Sequence, residues 1–165
     1  MDIFEFAMEK EKMSREKYLD MAEKSKSVGV KHILQMLADE EEKHYHTVER
    51  MKQETPEGVT KTDVLADAKK VFEKMQGARE EIKFEDDEKE VYHQAKKIEE
   101  EARDYYLQKE KEADDEVEKK IFHRLAEEEQ KHWFVIDNIC DFVEKPEYYL
   151  ENAEFVHLDN YVPFP

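Results

Sequence analysis

The strongest constraint on this 165-residue chain is that it contains one pattern twice. Residues 4–51 laid over residues 92–139 without a gap agree at 13 of 48 positions, where a composition this rich in Glu and Lys supplies about four by chance. Ala7 meets Ala95, Glu11 meets Glu99, Arg15 meets Arg103, Tyr18 meets Tyr106 and Leu19 meets Leu107. Further on, Leu37-Ala38-Asp39-Glu40-Glu41-Glu42-Lys43-His44 returns as Leu125-Ala126-Glu127-Glu128-Glu129-Gln130-Lys131-His132, 88 residues later. The fold must therefore place one unit twice, with the same inward residues in each copy.

The period of each copy is helical. Only Gly29, Gly58 and Gly77 are glycines and 43% of the residues are charged, which favours long helices over a turn-rich sheet. Residues 2–25 carry Phe4, Ala7, Met8, Glu11, Ser14, Tyr18, Met21 and Ala22 on one stripe, and residues 30–52 carry Val30, Ile33, Leu34, Leu37, Glu41, His44, Val48 and Met51. The short loop Lys26-Ser27-Val28-Gly29 makes these two helices antiparallel neighbours. A second hairpin repeats the design. Tyr92, Ala95, Ile98, Glu99, Ala102 and Tyr106 face inward over residues 86–113, and after the turn Asp114-Asp115 a stripe of Ile121, Phe122, Leu125, Glu129, His132, Ile136, Ile139 and Val143 runs over residues 116–144.

Glu54-Thr55-Pro56-Glu57-Gly58 breaks the second helix, and about thirty residues follow before the third long one. Val64, Leu65, Ala68, Val71 and Phe72 at helical spacing predict a short helix over residues 63–75 in that connection, ended by Gln76-Gly77. The fold class is all-α: two antiparallel helical hairpins joined by a long crossover that contains a short helix. Residues 1–145 form the bundle, and Pro146 stops its last helix. Residues 146–165, rich in aromatics, are expected to form a short helix and a strap packed on the bundle or on a second subunit.

Charge and cysteine count exclude several functions. Lys and Arg number 27 against 44 Asp and Glu, a formal charge of -17, so a nucleic-acid backbone or an anionic membrane surface is repelled. No apolar run is long enough to span a bilayer. The acidic start Met1-Asp2-Ile3-Phe4-Glu5 is unlike a signal peptide, and a cytoplasmic location is expected. Cys140 is the one cysteine. It excludes an internal disulfide or an iron–sulfur module within this chain and reads as a small buried apolar residue.

Glu-x-x-His occurs four times and carries little information alone. Glu90-x-x-His93 sits off its helix's inward stripe and Glu154-x-x-His157 lies in the tail; both read as surface or structural pairs. Glu41-x-x-His44 and Glu129-x-x-His132 are different, because they interrupt apolar seams in duplicated context. Glu11 is about 21 Å from the end of its helix and Glu41 about 18 Å from the start of the next, so the two meet at one height. The same holds for Glu99 and Glu129. Four inward carboxylates and two imidazoles cannot be buried uncompensated. Two divalent ions would balance four carboxylates, with neutral imidazoles completing the shells.

Glu11-x-x-Ser14-x-x-x-Tyr18, Ala38-x-x-Glu41-x-x-His44, Glu99-x-x-Ala102-x-x-x-Tyr106 and Ala126-x-x-Glu129-x-x-His132 resemble the rubrerythrin branch of the ferritin-like superfamily, across nearly the whole chain. The resemblance implies a ferritin-like four-helix bundle holding two metal ions, iron first and manganese as the alternative. Glu41 and Glu129 would bridge them, Glu11 and Glu99 would be terminal ligands, and His44 and His132 would each cap one ion. Tyr18 and Tyr106 are candidates for a hydroxyl beside the metals, with ordinary core aromatics as the alternative. Two departures stand out. Ala102 occupies the place of a further glutamate, and one cysteine cannot build the four-cysteine rubredoxin site, so electrons would come from a separate rubredoxin-like donor. The implied function is reduction of peroxide or O2 by a homodimer. Iron storage or sensing, and a di-manganese catalase-like site, are the rival readings.

Overall fold

The computed structural model describes residues 2–53, 63–78 and 84–152. Its elements are six helices: α1 Ile3–Lys24, α2 Val28–Lys52, α3 Val64–Ala78, α4 Asp86–Glu112, α5 Glu116–Glu144 and α6 Pro146–Asn152. Local chemistry sets their starts. Asp2 accepts from the Glu5 N–H at 2.7 Å, Ser27 from the Val30 N–H at 3.2 Å, and Asp115 from the N–H groups of Val117 and Glu118. Each side-chain oxygen satisfies a helix N–H that has no carbonyl partner. Pro146 ends the fourth long helix and starts the next, as its fixed φ and missing N–H suit a first helical position.

The long helices pair as α1 with α2 and α4 with α5, and the two hairpins meet through α2 against α5 and α1 against α4. Helix α3 lies against α2, α5 and α6, so the crossover helix and the short terminal helix close one end of the bundle. Phe72 packs on Phe142 and Tyr149 there, with ring centroids 6.3 and 5.2 Å apart. The strap expected beyond α6 falls on residues 153–165, outside the described residues. Among the described residues no helix is long and apolar enough to cross a membrane.

Two apolar cores sit in the bundle. One gathers Tyr18, Met21, Ile33, Leu37, Tyr92, Ile136 and Ile139 with α3 and α6, and the other gathers Ala7, Val48, Met51, Tyr106, Phe122 and Leu125. Every long helix runs from one core to the other. On each, one of the expected acids lies buried between the cores, so Glu11, Glu41, Glu99 and Glu129 form a polar belt at mid-bundle.

The hairpin loop is shorter than its composition suggests. Gly29, expected in that loop, is inside α2, because Ser27 caps the helix two residues earlier. The glycine is there for space: a Cβ at this position would stand 2.2 Å from Met75 Sδ and 2.5 Å from its Cγ. Gly29→Ala is therefore expected to destabilise by about 1–3 kcal/mol through overpacking, despite a gain in helix propensity of roughly 1 kcal/mol. Thermal melts check it, and in a Met75→Ala background the same change should cost far less than in the wild-type chain.

Candidate metal centre

Helix periodicity puts Glu41 and His44 on one face of α2, and Glu129 and His132 on one face of α5. All six expected residues are buried: Glu11, Glu41, His44, Glu99, Glu129 and His132. Their side chains converge as two overlapping sets. Glu11, Glu41, His44 and Glu129 each present a ligand atom within 4.8 Å of the others, and so do Glu41, Glu99, Glu129 and His132. Glu41 and Glu129 belong to both sets, whereas the other four belong to one each.

The contacts cross between the halves. His44 Nδ1 stands 2.8 Å from Glu129 Oε1, and His132 Nδ1 stands 2.9 Å from Glu41 Oε1. Within its own helix each imidazole is farther from its glutamate, at 3.7 Å for Glu41 and 3.5 Å for Glu129. The two rings lie parallel, with centroids 5.4 Å apart and planes 7° from each other. On the opposite side of the belt the Tyr18 hydroxyl donates to Glu99 and the Tyr106 hydroxyl donates to Glu11. Both hydroxyls thus touch the cluster, while the rings that carry them pack in the two apolar cores.

Burial opposes every charge here, and the groups share protons accordingly. Burial pushes Glu41 well above the usual carboxylate range, and the charges of Glu11, Glu129 and Glu99 push the same way. Glu129 rises to about 8, first through burial and then through Glu11 and Glu99. Burial also acts upward on Glu11, but contacts with Glu41, His44 and Tyr106 prevail and bring it down to about 2. Glu99 is likewise lowered against burial, by Glu129, His132 and Tyr18. Burial would lower both imidazoles, yet the surrounding carboxylates hold His44 and His132 well above their ordinary value. The shifts are opposed across the belt: protons are favoured on Glu41, Glu129, His44 and His132 and disfavoured on Glu11 and Glu99.

Even so, hydrogen bonding leaves an oxygen or nitrogen over on every member. Oε2 of Glu11, Glu41, Glu99 and Glu129 and Nε2 of His44 and His132 are buried without a hydrogen-bond partner. Buried polar atoms are nearly always satisfied. Four orphaned carboxylate oxygens pointing into one belt are what a pair of oxygen- and nitrogen-seeking cations would satisfy, so the donor set fits such a pair.

The tyrosine hydroxyls stay protonated, because burial and the charges of Glu99 and Glu11 raise Tyr18 and Tyr106 well above their ordinary value. Tyr18→Phe or Tyr106→Phe leaves a buried carboxylate without its donor. Each change is expected to cost about 1–3 kcal/mol, read as a lower urea midpoint for the metal-free protein with an unchanged slope.

The remaining sequence expectations separate cleanly. Arg15 reaches Glu42 at 3.8 Å and Arg103 reaches Gln130 at 2.7 Å, duplicated positions on the rim, so these arginines pair at the surface. His93 is exposed against Glu144 at 3.2 Å, His46 is exposed, and His123 is held between Glu110 and Glu127. Glu154 and His157 fall outside the described residues. Cys140 is buried in the core beside α3 and α6, and burial pushes its thiol up to about 12. What pattern reading missed is a layer behind the belt: Glu40, Glu127, Glu128 and Lys131 are buried as well. The signal was present, since Glu40 and Lys43 recur as Glu128 and Lys131 in the repeat.

A four-helix bundle with carboxylates and imidazoles massed at mid-height defines a ferritin-like protein with groups able to hold metal. The chain belongs to the rubrerythrin family, whose family model, described as Rubrerythrin, matches residues 2–138. Neither a curated protein nor a solved structure matches it.

Proposed function

We propose that this chain is a dinuclear-metal redox protein of rubrerythrin type, using iron to reduce peroxide or O2 with electrons from a separate donor. The observation that carries the reading is the pair of overlapping sets that share Glu41 and Glu129. Glu41 and Glu129 would be shared by the two ions, with Glu11 and His44 available to hold one and Glu99 and His132 the other. Iron held there would contribute two-electron chemistry toward an O–O bond, with the electrons returned by the separate donor.

The rest is the protein's work. The two apolar cores keep water from the belt, so its charges act at low dielectric. Tyr18 and Tyr106 hold a proton against the outer oxygens of Glu99 and Glu11. Between α1 and α4, Met13, Ser14, Ile98 and Ala102, together with Lys10, Lys17 and Glu101, line a groove of about 250 Å³. Ser14 and Ala102 each lie one turn from Glu11 and Glu99, which puts this groove beside the belt as a candidate approach for a small uncharged oxidant. The formal charge of -17 disfavours an anionic one. Ala102 adds no carboxylate on that side, which leaves four acids in the reacting set.

The deciding experiment loads the protein anaerobically with Fe2+ and mixes it with H2O2 or O2 while following oxidation by absorbance. Two electrons delivered per chain, repeatable on re-reduction, is the expected result. A loaded protein oxidised by neither would overturn the redox assignment, and unbroken accumulation of iron beyond two ions per chain would favour storage.

A further inference from the structure

Coordination through Nδ1 leaves a hydrogen on Nε2 of each imidazole, since a neutral ring carries one lone pair and one N–H. Both Nε2 atoms are buried, and neither has a hydrogen-bond partner. A buried N–H without an acceptor costs about 1–3 kcal/mol. Metal-bound histidines nearly always give that hydrogen to a carboxylate, a carbonyl or a water.

Glu40 stands where such an acceptor is needed. It lies on α2 one turn ahead of His44, is 8% exposed, and joins His44 and His132 in a set of ligand atoms within 4.8 Å of one another. Because Nδ1 of each ring already faces Glu129 or Glu41, Nε2 is the nitrogen left for Glu40. One Glu40 oxygen, Oε1, takes the Lys43 ammonium at 3.2 Å, while Oε2 is buried without a partner. Two donors and one acceptor thus lack partners in one place. Groups bonded to a common water stand roughly 4.6 Å apart, so this spacing suits a direct bond or a single bridging water.

We propose that Glu40 is the positioning carboxylate of both histidines. Its Oε2 accepts from Nε2–H of His44 and of His132, directly or through one water, and so fixes the tautomer and the ring planes that turn Nδ1 toward the metals. The near-parallel rings, 7° apart, are what one shared acceptor would select. Here the duplication has diverged. Glu128 is the counterpart of Glu40, but it is fully buried against the Lys131 ammonium at 2.9 Å, and among the described residues no ligand set includes it. This role rests on the dinuclear reading of the belt.

Zn2+ is the probe, being diamagnetic and redox-silent. Wild type, Glu40→Gln, Glu40→Ala and Glu41→Ala are titrated with Zn2+ against a competing chelator, and imidazole N–H resonances are followed in protein labelled with 15N-histidine. Glu40→Ala is expected to keep two ions per chain but bind them about 10–100-fold more weakly. Its Nε2–H signals should exchange faster with solvent. Glu40→Gln keeps a carbonyl acceptor and should recover most of both losses. Wild-type affinity and unchanged Nε2–H signals in Glu40→Ala would overturn the proposal. So would an affinity loss shared in full by Glu40→Gln with those signals unmoved, the mark of a packing effect. Failure of the dinuclear reading looks different: wild type and Glu41→Ala would then take up Zn2+ equally poorly, and the positioning role would fall with it.

Discussion

Glu41→Ala and Glu129→Ala are each expected to weaken both metal ions, whereas Glu11→Ala and Glu99→Ala each weaken one. The asymmetry follows from geometry, since Glu41 and Glu129 belong to both ligand sets and Glu11 and Glu99 to one apiece. Loss of a direct ligand should exceed the 10–100-fold typical of an outer partner, so a drop of more than about 100-fold in affinity is expected. Wild-type protein should hold two ions per chain, measured by elemental analysis after desalting. Removal of the metals should be felt across the fold. A site filled at 100 times its Kd stabilises by about 2.7 kcal/mol, so two sites contribute about 5 kcal/mol and move Tm by roughly 10–20 °C in a chain of this size. If Glu11→Ala and Glu41→Ala lost the same ions to the same degree, the shared-carboxylate arrangement would be wrong.

The second large effect is a reversal of pH dependence on metal loading. Without metal, Glu41, Glu129, His44 and His132 are all raised above their ordinary values. The folded state therefore holds protons that the unfolded state has released. Stability must fall as pH rises, from about 4.5 for the glutamates and about 6.5 for the histidines, until each folded value is passed, which for Glu129 is about 8. Each such group contributes on the order of 1 kcal/mol per pH unit within its window. Glu11 and Glu99 act oppositely, because their lowered values give stability above pH 4.5 that is lost as pH falls, toward about 2 for Glu11. The metal-free protein is thus expected to be most stable in mildly acidic solution and to weaken steadily toward pH 8.

Metal reverses the sign. Binding needs all four carboxylates ionised and both Nδ1 atoms free of protons, so up to four protons leave, one each from Glu41, Glu129, His44 and His132. Affinity rises with pH, and loaded protein should gain stability between pH 6 and 8 where metal-free protein loses it. Glu129→Gln isolates the cause, because its amide imitates the protonated acid. The metal-free variant should show a flatter decline than wild type and exceed it in stability at pH 8. Parallel declines in chelator-treated wild type and Glu129→Gln would remove the proton-sharing account. Proton release, measured in weakly buffered solution during Zn2+ addition, checks the count directly.

Much of the centre could be read from spacing because a helix is a local object. Residues three apart on one helix share a face whatever surrounds them, so Glu41 with His44 and Glu129 with His132 were determined by the chain alone. The 88-residue repeat then matched Glu11 to Glu99 and Tyr18 to Tyr106, and counting the rise per residue brought them level. The helix breaks at Pro146 and at residues 114–115 were equally legible, because proline and capping aspartate act on their neighbours. Gly29 was not. Its place inside α2 depends on the Met75 side chain, 46 positions away along the chain, which no local pattern reports.

Which glutamate serves which histidine was also beyond the sequence. By spacing alone, Glu41 belongs with His44, yet the closest carboxylate to His44 is Glu129, across the bundle at 2.8 Å. Likewise Glu40, Glu41 and Glu42 are three identical residues in a row. A helix turns each about 100° from the last, so one faces both partner sets, one faces the imidazoles and one faces Arg15 at the surface. Sequence alone determined that this chain forms two like hairpins with acid and histidine on their inner faces, because periodicity and duplication are properties of the chain itself. Only the tertiary structure decided that each half completes the other's ligand set, because the distance and rotation between two helices are set by side chains packing from both.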